Sequence, residues 1–344
     1  MNIIKEHKFK NNKNDKYKNK ILILFNLIII LIFFYKLNNS FNLLSNDKNN
    51  LNNDYIMQNN NTFIIMKIKC KGCGLFAIYK NSLQCINTFI NKGYIPIIDL
   101  MSYPNMFNNF NSTSSNQNPW ELFFHQPYRF SLEKVKANSK NIIFLDFPNF
   151  KICKSYGIQN ILLKSRVTLE YWHNMALKYI PIKQNILDET NIIIKKLFKN
   201  NKNILAILVR GTDYIAVKPK GEAIPPNPQL VINDVIELDK NNKYNFFFLT
   251  TEDEILFQKF KKKFGKKLKY IHKNINYNYT EKKLVGFNKN IRNINFQKIY
   301  LINIIILSTC LDIISAFTNG LIGAMILSKG FRYSKIYDFG SYKN

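Results

Sequence analysis

An α/β fold built of two halves, each with a parallel sheet, is what the sequence predicts, and three observations predict it. Short apolar runs rich in Ile, Phe and Leu recur along the chain, as strands buried on both faces require. Segments with apolar residues at helical spacing lie between them. The alternation occurs twice, on either side of two helical stretches separated by Pro181. Units that alternate in this way give parallel strands covered by helices, here as two halves facing a cleft with a boundary near 180–200.

The elements run in order from the N-terminus. Residues 1–20 carry seven lysines against Glu6 and Asp15, and the apolar run ILILFNLIIILIFFY occupies 21–35. As a helix that run rises only about 23 Å, short of the roughly 30 Å hydrocarbon core. Extension to Leu37, with Lys20 and Lys36 snorkelling, closes most of the gap. KLNNSFNLL, which comes next, is a poor cleavage site. Residues 21–37 are therefore expected to be a transmembrane signal anchor, with the basic tail cytosolic and the rest lumenal. That is the topology of a single-pass type II membrane protein of the Golgi or endoplasmic reticulum. Sequons at Asn60, Asn111 and Asn278 fit a lumenal domain. Residues 38–61, mostly Asn, Asp, Ser and Lys, read as a flexible stem.

Order is expected from Thr62. In the first half, 62–190, FIIMKIKC, YIPIIDL (94–100) and NIIFLDF (141–147) read as strands and 81–93 and 166–179 as helices, and a helix at 183–199 crosses the boundary between the halves. In the second half, 191–344, strands are expected at 203–209, 245–251, 268–272, 311–317 and 334–339. Helices are expected at 227–238, 253–264, 296–309 and 319–328.

The net charge of +28 invites a nucleic-acid reading, but the basic residues are spread widely outside the tail and KFKKKFGKKLKY (259–270). That run reads as a solvated helix face, and no nucleic-acid-binding motif accompanies it. The five cysteines cannot all pair within the chain. Cys70-Lys-Gly-Cys73 is a lone CxxC, better read as a local disulfide or two separate thiols than as a zinc or redox site. The four histidines form no nucleophile or metal constellation, and GxSxG, HExxH, Walker and DxD sequences are absent. No metal site is expected.

The unusual stretch is 208–221, LVRGTDYIAVKPKG. In open α/β sheets, ligands bind outside the carboxyl ends of the strands. Three expected strands of the second half end in polar groups: Arg210-Gly211-Thr212-Asp213, Thr250-Thr251-Glu252-Asp253 and Thr318-Asn319-Gly320. Arg210 offers a planar fork for phosphate or carboxylate, and Gly211 allows close approach to the backbone. Thr318, Asn319 and Gly320 would open a helix whose N–H groups favour an anion. Lys218 and Lys220 add positive charge. Together these residues suit a diphosphate. Each segment alone is open to a structural reading, a salt bridge for Arg210 and Asp213 or plain helix caps for the threonines. Asp213 is the candidate general base, with orientation of Arg210 as its other role.

VRGTD after a strand, LTTEDE beyond it and IILSTCLDIISAFTNG near the end resemble the three C-terminal motifs of GDP-fucose-using fucosyltransferases, the α1,6-, α1,2- and protein O-fucosyltransferase superfamily. The resemblance covers roughly 203–339, with looser likeness in GCGLFAIY, GYIPIIDL and NPWELFF. It implies a GT-B-like fold of two Rossmann-like domains and an inverting, metal-independent glycosyltransferase with no cofactor. Its donor would be a nucleotide sugar, GDP-fucose in that family, and its acceptor a glycan or glycoprotein. It further implies Arg210 on the donor's β-phosphate, with Asp253 and Thr318, and by position Thr251, lining the nucleotide pocket. Two positions depart from the pattern: Leu208 stands where the α1,6 enzymes carry His, and Asn303 where they carry Asp. In that family the two residues help read the guanine, so the resemblance bears more on the diphosphate than on the base. A non-catalytic, membrane-anchored glycan- or nucleotide-binding protein of the same fold is the alternative.

Overall fold

The computed structural model describes residues 61–343 apart from 71, 106, 108–116, 149–152, 154–164, 219, 272–293 and 329, and apart from the side chains of Thr212, Asp213 and Ala216. The expected tail, anchor and stem (the latter but for Asn61) and the asparagines of the three sequons lie outside the described residues. The chain divides into two units, Met1–Ile56 and Met57–Asn344. Among the described residues, all of which belong to the second unit, no helix is long and apolar enough to cross a membrane.

The first sheet is built from β1 (Phe63–Lys69), β2 (Ile95–Asp99) and β3 (Ile142–Pro148), parallel throughout and ordered β2-β1-β3. Helix α1 (Leu75–Ile90) crosses from β1 to β2, and α2 (Leu132–Asn138) precedes β3. The second sheet holds β4 (Ile204–Leu208), β5 (Phe246–Thr250), β6 (Leu268–Lys269), β7 (Asp312–Ala316) and β8 (Tyr333–Tyr337) in the order β6-β5-β4-β7-β8, again all parallel. Its central strands β4 and β7 are buried at every residue; β4 reads as an unbroken apolar run, while β7 also buries Asp312 and Ser315. Helices α3 (Arg166–Tyr179) and α4 (Gln184–Phe198) join the two sheets. The second half continues with α5 (Thr212–Val217), α6 (Pro228–Leu238), α7 (Glu254–Phe264), α8 (Ile294–Thr309) and α9 (Asn319–Leu327).

Among the described residues, two apolar clusters form the core. One continues from the first sheet through α1, α3, α8 and α9 to one face of the second sheet. The other packs α6 and α7 on the opposite face. Helix α9 is apolar on all sides because α1, α3 and α8 surround it. The lysine-rich run behaves as a solvated face: α7 buries Leu256, Phe257 and Phe260 and leaves Lys259, Lys261, Lys262 and Lys263 exposed.

The differences from the sequence reading have local causes. Helix α1 begins at Leu75 rather than 81, because Leu75, Phe76, Ile78 and Tyr79 continue its buried face back to Gly74. Helix α2 was not expected; it starts at Ser131, whose hydroxyl accepts from the Lys134 N–H. The unusual loop contains one short helix, α5, and β6 is only two residues long. Cys70 and Cys73 form a local disulfide, one of the two alternatives, while Cys85 and Cys153 form a second bridge that no spacing signalled.

Candidate active site

Strand register brings the three polar segments together. Leu208 at the end of β4 lies opposite Thr250 of β5 and Ser315 of β7, so the loops starting at Val209, Thr251 and Phe317 leave one edge side by side. This is the carboxyl edge of the sheet, where such folds bind ligands.

Arg210 is half-buried there and firmly held. Its Nε donates to Glu252 Oε1 at 2.9 Å and its Nη1 to the Tyr214 hydroxyl at 3.1 Å. Its guanidinium also lies 4.0 Å from the centre of the Tyr214 ring. The Tyr214 hydroxyl passes the contact on, donating to Glu222 Oε2 at 2.8 Å. Gly211 is there because nothing larger fits: a Cβ would stand 2.0 Å from Asp253 Oδ2 and 2.8 Å from Leu256 Cδ1. Thr212 and Asp213 open α5 directly after it, their side chains outside the described residues.

On the β5 loop, Thr251 and Asp253 are buried. Thr251 Oγ1 accepts from the Asp253 N–H at 3.1 Å, and Asp253 Oδ1 caps α7 by accepting from the Leu256 N–H at 3.0 Å. On the β7 loop, Thr318 Oγ1 caps α9 by accepting from the Leu321 N–H at 3.2 Å. Asn319 is the first residue of that helix, and Gly320 packs so closely on α8 that a Cβ would lie 2.6 Å from the Tyr300 hydroxyl. Burial pushes the Tyr300 phenol up to about 12, with Arg210 opposing and Glu252 reinforcing the shift.

Lys218 and Lys220 are exposed at the end of α5 and beyond it. The next stretch of loop is pinned to the C-terminal segment: Gly221 N–H donates to Tyr342 O, Ile224 N–H to Gly340 O and Tyr342 N–H to Glu222 O. Glu222 is thereby kept beside Tyr214.

Several members of this cluster carried little sequence signal. Tyr214 and Glu252 lie next to the residues singled out, but nothing in the spacing marked them as partners of Arg210. Lys80, from the first half, donates from Nζ to Asn319 Oδ1 at 3.0 Å and is 6% exposed. Its signal was a lysine in phase with the buried stripe of α1, between Phe76 and Leu83. The two departing positions are core residues: Leu208 is buried beside Gly320, and buried Asn303 donates from Nδ2 to Ile299 O.

Among the described residues, no group of three or more His, Cys, Asp or Glu side chains is arranged to hold a metal. A cavity of about 1340 Å³, lined by Phe198, Ile204, Cys310, Leu311, Met325 and Phe331 among others, opens at the amino ends of β4 and β7. That is the opposite edge from Arg210, so cavity size does not mark the polar cluster.

No protein-family model matches the sequence, and no curated protein matches it. Among solved structures the chain is similar to fucosyltransferases. Fucosyltransferase NodZ from Bradyrhizobium aligns at 12% identity over 78% of this chain and 93% of that one, with a TM-score of 0.43. POFUT1 in complex with GDP-fucose aligns at 8% identity over 80% of this chain and 98% of that one, with a TM-score of 0.46. Arabidopsis thaliana FUT1, as a mutant in complex with GDP, aligns at 8% identity over 82% and 73%, with a TM-score of 0.40.

Proposed function

We propose that the chain is an inverting, metal-independent glycosyltransferase that moves a sugar from a nucleotide-sugar donor to a glycan or glycoprotein. GDP-fucose is the donor to test first, on the strength of the motif resemblance. The observation that carries the reading is the meeting of Arg210, the backbone at Gly211 and the start of α9 on adjacent parallel strand ends.

In this reading the acceptor hydroxyl oxygen bonds to the anomeric carbon from the face opposite the donor's diphosphate. The bond from that carbon to the phosphate oxygen breaks, and its electron pair leaves with the diphosphate. Arg210, held by Glu252 and Tyr214, meets that growing charge together with the N–H groups at the start of α9 and the lysines at 218 and 220. Pre-orientation matters, because a guanidinium already fixed in place needs no reorganisation as charge develops. Asp213 takes the hydroxyl proton. Two disulfides support an oxidising compartment, as a lumenal domain behind a signal anchor at 21–37 would occupy.

The test is calorimetric titration of the full-length chain, purified in detergent, with GDP. Arg210→Ala is expected to weaken binding by roughly 1.5–3 kcal/mol, the range for hydrogen bonds to charged groups. Arg210→Lys is expected not to restore it, since an ammonium lacks the bidentate fork. Unfolding of Arg210→Ala, with unchanged affinity in the folded fraction, would make Arg210 a structural partner of Glu252 and overturn the reading.

A further inference from the structure

We propose that Lys80, supplied by the first half of the fold, is a diphosphate-contacting residue of the same site; this rests on the reading that the carboxyl edge of the second sheet binds a nucleoside diphosphate. The position of Lys80 is set by packing. One turn before it, Phe76 lies so close to α9 that a Cβ on Gly323 would be 2.0 Å from its ring. That approach lays α1 against α9 and carries the Lys80 ammonium to Asn319, the first residue of α9.

The electrostatics there are unusual. Lys80 is buried, and among the described residues no carboxylate lies within salt-bridge distance of it. The hydrogen-bond acceptor it finds among them is the neutral Asn319 amide oxygen. The ammonium also sits at the positive end of a helix. Buried charge is costly unless an ion or ligand of opposite sign shares the place. A pure strut between halves would be better made by a neutral donor. Facing Lys80 are Asn319 from α9 and, at longer range, Glu222 from the loop after α5; Tyr300 of α8, beside Gly320, stays neutral at pH 8. Burial draws the amine down to about 8 against the pull of Glu222. A diphosphate at the start of α9 would supply the missing negative charge and return the amine to its charged form.

The experiment titrates the full-length wild type, Lys80→Met, Lys80→Gln and Arg210→Ala with GDP and with inorganic pyrophosphate. It is run at pH 8 in two buffers of different ionisation enthalpy. Both Lys80 variants are expected to bind each probe about 10- to 100-fold more weakly, as the loss of a charged hydrogen bond implies. Wild type is expected to take up protons on binding, and the variants to lose that uptake. Lys80→Gln keeps a donor for Asn319 and covers a Met variant that fails to fold. If Arg210→Ala loses GDP while both Lys80 variants bind it as wild type does, Lys80 is a strut and this inference fails alone. If wild type does not bind GDP, or Arg210→Ala binds it normally, the donor reading fails and this inference with it.

Discussion

Gly211 and Asp253 are each specified by the other. Gly211 leaves room for the Asp253 carboxylate, and that carboxylate caps α7. Gly211→Ala is therefore expected to push the carboxylate off the Leu256 N–H and to destabilise the fold by about 1–3 kcal/mol, the range for overpacking, read from urea unfolding. Asp253→Ala, which removes the cap without adding bulk beside Gly211, is expected to cost about 1 kcal/mol or more. His125 gives a prediction in pH. Burial, with Arg129 and Lys183 nearby, draws its imidazole down to about 4. A folded value below the unfolded one of about 6.5 means that the unfolded chain binds more protons between the two. Its contribution to stability is thus fully present above about pH 6.5 and lost as pH falls through about 4. Unfolding free energies across that window should fall less steeply for His125→Gln; an unchanged slope would show that the imidazole is not held neutral.

Element by element, the sequence was most legible where burial is complete and least where it is partial. The strand β4 read correctly because a buried parallel strand leaves a continuous apolar signature, and β7 because Ile313, Ile314 and Ala316 carry most of one around Asp312 and Ser315. Helix α2 escaped because seven residues with two buried side chains make almost no periodic signal. The start of α1 escaped because its first turn continues straight from the CKGCG segment without a side-chain cap. The contact between α1 and α9 turns on one glycine. Gly323→Ala should force Phe76 from its place and lower the unfolding midpoint, at a cost of about 1–3 kcal/mol. A midpoint equal to wild type would mean that the two helices separate easily, which would also loosen Lys80 from Asn319.

At the scale of the whole molecule, a continuous apolar core and one long-range disulfide tie the described parts together. Cys85 of α1 and Cys153 are both buried, and their bridge closes a loop with a sequence separation of 68. Chain-entropy reasoning puts the cost of opening such a loop at about 4 kcal/mol. Cys85→Ser with Cys153→Ser should shift the denaturant midpoint accordingly, and an unshifted midpoint would show that the core alone sets stability. Cys310 is different: its thiol is buried and pushed up by that burial, so although it borders the cavity at the amino ends of β4 and β7, alkylation should be much slower in the folded chain than in the unfolded one.

The sequence by itself determined the order of the strands and of the longer helices, the parallel α/β class and the three polar strand ends, because each is written in local periodicity and in residue types at a strand's end. Only the tertiary structure decided which groups meet there. Arg210 finds Glu252 because β4 and β5 are neighbours in register, and Lys80 finds Asn319 because Phe76 packs over Gly323. Those pairings span 42 and 239 residues of chain, and no local pattern encodes contacts that exist only once the sheets and helices have packed.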